Sequence, residues 1–377
     1  MRIGIVTVYT NINYGSVLQS YALQTVLKRL GAERVENILV QKDINRTRTI
    51  NKIMLKTKSL LRKLFPAKDP ARVGATLLRR EFAAFRTNYI SESQYSPIQI
   101  KERTRSGIKD YDYYVCGSDQ IWAPNQFHKE YFLDFVRDKS KKISYATSIG
   151  LPKIPDDLMS RYRTLIGDMG NVSMREKEGA LLVEQITGLK EIPVVLDPTL
   201  LLERHEWIGL SKKREIEGKY ILVLLLGKDE RHREWIKQFS SVTGCKIVTL
   251  PLRPWDNLFG DVQCFDAGPQ QFLSLVDKAD YVCTDSFHGM AFSINFNKDF
   301  FGFMRFSEED PICQNSRVRN LLNMVDLNNR LVTDYSREIV EYLQLPPIEY
   351  EQVNLRLAEM RKSSIDYLIS ALNLKQC

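Results

Sequence analysis

The sequence predicts an α/β protein made of two doubly wound, parallel-sheet domains that face each other across a cleft. Three observations carry this expectation. The chain has 377 residues, enough for two domains at ~100–200 residues each. Short β-branched runs alternate with helical periodicities in the first half and again after residue 219, the pattern of Rossmann-like units. Between the halves, Glu203–Lys219 holds nine Lys, Arg or Glu, a composition suited to a domain boundary.

Taken in order, Arg2–Val8 (RIGIVTV) reads as a buried parallel strand. After the polar loop 9–15, Val17, Leu18, Tyr21, Ala22, Leu23, Val26, Leu27 and Leu30 recur at helical spacing, with Ser16 placed as N-cap and Gly31 just past the end. Val35–Val40 reads as the next strand, so loop 9–15 falls at the carboxyl edge of a parallel sheet, where such folds bind ligands. A basic helical stretch runs from Lys42 to Arg86. Strands follow at Tyr111–Cys116, Lys142–Ser148, Asn171–Met174 and Pro193–Leu196, with a helix over 176–185. Beyond the boundary, strands at Tyr220–Leu226, Lys246–Leu250, Asp280–Thr284 and Phe300–Phe303 alternate with helices at Asp229–Thr243, Pro269–Lys278 and from Gly289. Tyr350–Leu374 reads as one amphipathic helix. The expected division is an N-terminal domain 1–202 on the acceptor side, a C-terminal domain 219–345, and a C-terminal helix 346–377.

Composition excludes several classes. The chain is 44% hydrophobic and 27% charged, ordinary for a globular protein. Its longest apolar run, Ile221–Leu226, is far short of the ~20 residues of a membrane span. The opening MRIGIVTVYT lacks a signal-peptide pattern. The six cysteines are scattered without a CxxC, which disfavours a zinc site or a disulfide framework and leads to the expectation of a reduced, cytoplasmic enzyme. The net charge is +8, yet Lys42–Arg86 alone carries thirteen basic and three acidic residues. The basicity is therefore one segment, without the motifs or interleaved aromatics of a nucleic-acid surface. Within it, Ile50, Ile53, Met54, Leu60, Leu61, Leu64 and Phe65 fall within ~140° of a helical projection, opposite Lys52, Lys56, Lys58, Arg62 and Lys63. That stripe fits packing on the domain. It equally fits a helix lying on an anionic membrane face, which would make the protein peripheral at the inner face of a membrane.

Four segments could carry chemistry. In Asn13–Gln24 (NYGSVLQSYALQ), Gly15 permits a tight approach and the helix start offers free N–H groups to a polar ligand; an ordinary βα turn is the plainer reading. Gly117–Trp122 (GSDQIW) puts short polar arms beside an aromatic ring, a combination that grips sugars, although Trp122 could equally be core. Arg175, in VSMREKE, sits where a strand meets a helix, placed to fork onto a carboxylate or phosphate or to pair with Glu176 or Glu178. His288, in TDSFHGMA, is the one histidine at a strand end before a Gly and an apolar helix, suited to ligand binding or acid–base work. His128, His205 and His232 stand in polar stretches expected to be exposed. Arg317 (NSRV) is a further anion-contact candidate or a surface Arg. There is no HExxH, GxSxG or GxxxxGK[ST], and no recognisable metal set.

In these segments, NYGSVLQSYALQ, GSDQIW, SMREKEG, VVLDPTLL and ADYVCTDSFHGMAFSI, the sequence resembles the polysaccharide pyruvyl transferase family, in matching order over residues 1–330. The resemblance implies a GT-B-like, two-domain enzyme of exopolysaccharide or capsule biosynthesis. Such an enzyme moves the enolpyruvyl unit of phosphoenolpyruvate to a sugar, forms a pyruvate ketal and releases phosphate, with no metal or redox cofactor. It implies His288 as the catalytic acid and Arg175 as a donor contact; Ser286, Phe287 and Arg317 are the further donor-side candidates. Some relatives carry Arg where this chain has Ser286. Asp119 is the candidate base; Asn13, Tyr14, Gln19, Ser118 and Trp122 are the candidate acceptor contacts. The acceptor would be a glycan or a lipid-linked oligosaccharide. Competing readings are a nucleotide-sugar glycosyltransferase of the same architecture, for which no nucleotide signature is found, and a non-catalytic glycan-binding member.

Overall fold

The computed structural model describes residues 1–40, 70–310 and 312–374. The Ile50–Phe65 stripe and its basic partners lie outside the described residues. No described helix is long and apolar enough to cross a membrane.

Two all-parallel sheets organise the chain. The first contains β1 (Arg2–Val6), β2 (Arg34–Asn37), β3 (Tyr113–Cys116) and β4 (Lys142–Ser144) in the order β2-β1-β3-β4. Single bridges carry its edge on, from Ile143 to Asn171, Thr147 to Met174, and Met174 to Val194. The expected strands at Lys142–Ser148, Asn171–Met174 and Pro193–Leu196 are thus mostly isolated bridges. Ala146 adopts a left-handed backbone (φ 48°) that turns the chain out of the ladder. Ser144 Oγ and Ser173 Oγ take over by donating to each other's carbonyls at 2.8 and 2.9 Å. The second sheet contains β5 (Tyr220–Leu224), β6 (Lys246–Thr249), β7 (Val262–Gln263), β8 (Tyr281–Thr284), β9 (Asp299–Phe303) and β10 (Leu331–Val332), ordered β10-β9-β8-β5-β6-β7.

The helices are α1 (Tyr14–Arg29), α2 (Pro70–Tyr89), α3 (Pro97–Arg105), α4 (Asp156–Gly167), α5 (Lys177–Thr187), α6 (Arg204–Leu210), α7 (Glu230–Thr243), α8 (Pro269–Lys278), α9 (Phe287–Asn295), α10 (Ser316–Val325), α11 (Ile339–Leu343) and α12 (Tyr350–Ala371). Helix α1 starts three residues earlier than its apolar spacing suggests. Its cap is Asn13, whose side-chain oxygen accepts the Ser16 N–H, which frees the Ser16 hydroxyl for another partner.

The connectivity places the ligand crevice. In the first sheet β1 is flanked by β2 and β3, and in the second β5 is flanked by β6 and β8. Each sheet therefore has a topological switch point at those carboxyl ends. One apolar core joins the domains and includes Ile3, Leu222 and Leu372. Tyr14 stacks on Phe272 at 4.6 Å and donates its hydroxyl to the Ala267 carbonyl at 2.6 Å. Asn295 Nδ2 donates to the carbonyls of Thr199 and Leu202 at 3.0 and 2.8 Å. Within the polar boundary segment, α6 buries Trp207 and Leu210, with Trp207 edge-on to Phe292. Helix α12 returns to the first domain, where Tyr367 donates to the Ser144 carbonyl at 2.7 Å and the Leu196 N–H donates to Ser364 at 3.0 Å. His232, expected to be exposed, is buried and stacked on Phe303 at 4.8 Å.

Candidate active site

The two switch points meet at a polar cavity of about 130 Å³. Asn11, Asn13 and Ser16 line it from the loop after β1 and the start of α1, and Asp119 and Gln120 from the loop after β3. The second domain supplies Leu226 after β5, Ser286, Phe287 and His288 after β8, Arg305 after β9, and Arg317 from α10.

His288 stands in the first turn of α9, which Ser286 caps by accepting the Gly289 N–H. Its Nε2 lies 3.6 Å from Asp197 Oδ2 and makes no hydrogen bond. On the other side α1 presses close: a Cβ added to Gly15 would fall 2.0 Å from His288 Nδ1. Only glycine lets the helix pass here. Asp197 is fully enclosed. Its Oδ1 accepts the Thr199 N–H (3.0 Å) and hydroxyl (2.8 Å), and its Oδ2 lies 2.8 Å from Arg175 Nη1 and 3.0 Å from Ser118 Oγ. Burial acts to raise its pKa, but His288, Arg175 and the Thr199 N–H outweigh burial and hold the carboxyl well below the usual carboxylate range. Sequence reasoning did not single out Asp197. The signal available was an Asp at a strand end, before Pro198.

Asp119 follows Gly117, where φ is +118° and an added Cβ would meet the Tyr145 carbonyl at 2.0 Å. Its Oδ2 accepts from the Ser16 hydroxyl at 2.8 Å and its Oδ1 from the Gln120 N–H at 2.9 Å. Burial works to raise the Asp119 pKa; His288, Arg175 and Ser16 prevail and lower it, so the group is an ionised, weakly basic carboxylate.

Arg175 lies behind the cavity wall rather than on it. Its guanidinium binds Asp197, lies 3.8 Å from Asp119 Oδ1 and 3.7 Å from Glu176 Oε2, and stacks 4.2 Å from the Phe287 ring centre. Burial opposes its charge, but Asp197, Glu176 and Asp119 raise its pKa on balance. The cationic groups that do face the cavity are Arg317, singled out from the sequence, and Arg305, which was not.

Four expected acceptor contacts point elsewhere. Trp122 is 0% exposed, donates its indole N–H to the Tyr131 carbonyl at 3.1 Å and stacks on Phe132 at 5.1 Å; it is core, not a sugar platform. Tyr14 is spent on the interdomain contact with Phe272 and Ala267. Gln19 braces the loops, with Nε2 donating to Thr7 Oγ1 (2.9 Å) and Oε1 accepting the Ser118 N–H (3.1 Å). The Ser118 hydroxyl faces Asp197 and the Ala146 carbonyl. Gln19 and Ser118, polar residues near the ligand edge, are thus consumed in holding the backbone there. Asn13, Asp119, Ser286, Phe287, His288 and Arg317 do converge on the cavity.

Among the described residues, three side chains that line the cavity hold buried atoms without hydrogen-bond partners: Gln120 Nε2, His288 Nε2 and Arg305 Nε. Orphaned polar atoms are rare in folded proteins, and such a concentration marks a site built for a polar ligand. Paired parallel-sheet domains with a charged crevice at facing switch points define a GT-B-type fold.

Solved structures agree. A UDP-GlcNAc 2-epimerase from Neisseria meningitidis bound to UDP-GlcNAc matches with TM-score 0.50 and 10% identity over 98% of this chain and 100% of that one. The S. aureus MnaA–UDP co-structure matches with TM-score 0.50 and 11% identity over 100% and 98% of the two chains. Likeness at this identity is likeness of fold. No curated protein gives a significant sequence match. The family model for polysaccharide pyruvyl transferase matches residues 13–305. The chain belongs to that family, and it is a transferase.

Proposed function

We propose that the enzyme transfers the enolpyruvyl unit of phosphoenolpyruvate to a sugar of a bacterial glycan, closes a pyruvate ketal across two hydroxyls and releases phosphate. The observation that carries this reading is His288, backed by the enclosed Asp197 carboxylate at 3.6 Å, on the wall of a small cavity that Arg305 and Arg317 also line. Asp197 lies 3.6 Å from Nε2 and Gly15 packs against the Nδ1 edge, so the ring is held between the two domains at the cavity. In the first step the imidazolium protonates the donor's methylene carbon, which becomes a methyl group, and positive charge develops at the adjacent carbon. An acceptor hydroxyl attacks that carbon and its proton returns to His288. In the second step the carbon–oxygen bond to phosphate breaks with the electron pair leaving on phosphate. A second hydroxyl closes the ketal and its proton passes to the departing phosphate. Oxidation states are unchanged. Phe287 and the start of α9 lie on the donor side, with Arg175 setting the carboxylates behind them. Asn13 and Asp119 face the acceptor, where Asp119 orients a hydroxyl more than it removes a proton.

The test is incubation with phosphoenolpyruvate and a panel of glycosides, read by phosphate release and by the mass gain of one pyruvyl ketal. His288→Gln should retain donor binding and lose turnover by about 100-fold or more. Release of a nucleoside diphosphate from a sugar nucleotide instead, or full turnover by His288→Gln, overturns the reading.

A further inference from the structure

We propose that Arg305 and Arg317 together clamp the phosphoryl end of the donor, an assignment that rests on phosphoenolpyruvate being that donor. Both line the cavity, and they reach it from different elements, the segment after β9 and the first turn of α10. Arg317 is 7% exposed, yet among the described residues its guanidinium hydrogen-bonds to neutral acceptors alone, the Gln314 carbonyl at 3.3 Å and side-chain oxygen at 2.8 Å. Buried charges are ordinarily paired, but nearby Glu176 accepts the Ser148 hydroxyl at 2.7 Å and lies 3.7 Å from Arg175, and Asp197 binds Arg175 at 2.8 Å. Burial, and after it the positive charges of Arg175 and Arg305, push the Arg317 pKa down to about 9 against the opposing pull of Glu176 and Asp119. An incoming anion would relieve that repulsion.

Arg305 is also underused. Its Nη2 donates to the Asp285 carbonyl at 2.9 Å, while its Nε is buried without an acceptor. The Asp285 carboxylate, 3.5 Å from Arg305, is itself occupied by the N–H groups of Leu226 and Gly227, each at 2.7 Å. Two convergent guanidiniums with donors to spare suit the several oxygens and double charge of a phosphoryl group better than a single carboxylate. At about 130 Å³ the cavity is well below the ~300–1,000 Å³ of pockets for drug-sized ligands, which favours a small phosphate ester over a nucleoside diphosphate. Phosphate seated here leaves the enolpyruvyl carbons toward His288.

The experiment measures binding of inorganic phosphate and of pyruvate, as probes of the two ends of the donor, by calorimetry on wild type, Arg305→Gln, Arg317→Gln and Arg317→Lys. Thermal melts confirm that each variant is folded, and Arg305, whose side chain is 23% exposed, provides a test that does not depend on the more deeply buried position. The expected result is a phosphate Kd raised about ten-fold or more in each Gln variant. Arg317→Lys should be intermediate because it keeps charge and loses the fork, and pyruvate affinity should change less than about two-fold. Unchanged phosphate affinity in folded Arg305→Gln and Arg317→Gln overturns the clamp, as does equal loss of both probes. Turnover of phosphoenolpyruvate by wild type is scored separately. Turnover with unchanged phosphate affinity in the variants rejects the clamp alone. No turnover, with phosphate affinity still lost in the variants, rejects the donor and keeps the anion site.

Discussion

Replacing Gly15 by Ala would place a methyl carbon 2.0 Å from His288 Nδ1 and 2.1 Å from its Cγ. Ordinary contact begins near 3.4 Å, so the imidazole must retreat by about 1.4 Å, away from α1. Asp197 and Phe287 confine it on the far side, and the ring has to swing off its carboxylate partner. Misplacing a reacting group by ~1 Å can cost about 100-fold in rate, or ~2.7 kcal/mol of barrier. A glycine-to-alanine change in a helix otherwise stabilises by ~0.5–1 kcal/mol. Gly15→Ala should therefore lower kcat for phosphate release by about 100-fold without the usual rise in Tm, and leave the acceptor KM within a few-fold. Steady-state kinetics and a thermal melt on the same preparation decide it. Wild-type kcat in Gly15→Ala would show that the position of His288 does not matter to the reaction and would refute the role given to it.

Asp197 and Asp119 have folded pKa values below the ordinary aspartate value of ~3.9, so the unfolded chain binds more protons than the native one. Their stabilisation is complete above that value and is lost as pH falls through it toward the folded values; melts from about pH 6 to pH 3 should show a falling Tm. Asp197→Asn should flatten that slope and destabilise by about 3–5 kcal/mol at neutral pH, since buried Arg175 loses its closest partner; an unchanged slope assigns the acid sensitivity elsewhere. Trp122→Ala should cost about 3–5 kcal/mol in urea unfolding, and the milder Trp122→Phe should leave the acceptor KM unchanged; a raised KM in Trp122→Phe would restore a sugar-binding role. Tyr14→Phe strands the Ala267 carbonyl between the domains and should cost about 1–3 kcal/mol, read as a lower urea midpoint with kcat retained.

Much of the fold was legible because hydrophobic periodicity is a local property. The opening βαβ unit, the alternation after residue 219 and the helix at Tyr350–Ala371 follow from side-chain spacing alone. Helix α3 was legible and passed over: Ser96 and Gln99 form a reciprocal capping box with Pro97 at the first helical position. The edge of the first sheet was harder, because Ser144 and Ser173 replace ladder bonds with side-chain bonds that no β-propensity records.

The site divides in the same way. His288 stood out in the sequence because a histidine between a strand end and an apolar helix is conspicuous in one dimension, and Asp119, Ser286 and Arg317 were found beside similar local signals. Asp197 was not singled out, and Arg305 went unnoticed, because the use of a charge depends on which opposite charge the fold brings to it. Arg175 reads locally as a ligand clamp, whereas the fold surrounds it with three carboxylates behind the cavity. Trp122 and Gln19 look like ligand contacts by residue type and prove to be internal braces. Residue chemistry and strand–helix order are written along the chain; burial, counterions and the direction a side chain faces are set by contacts between segments far apart in it, and only the tertiary structure decides them.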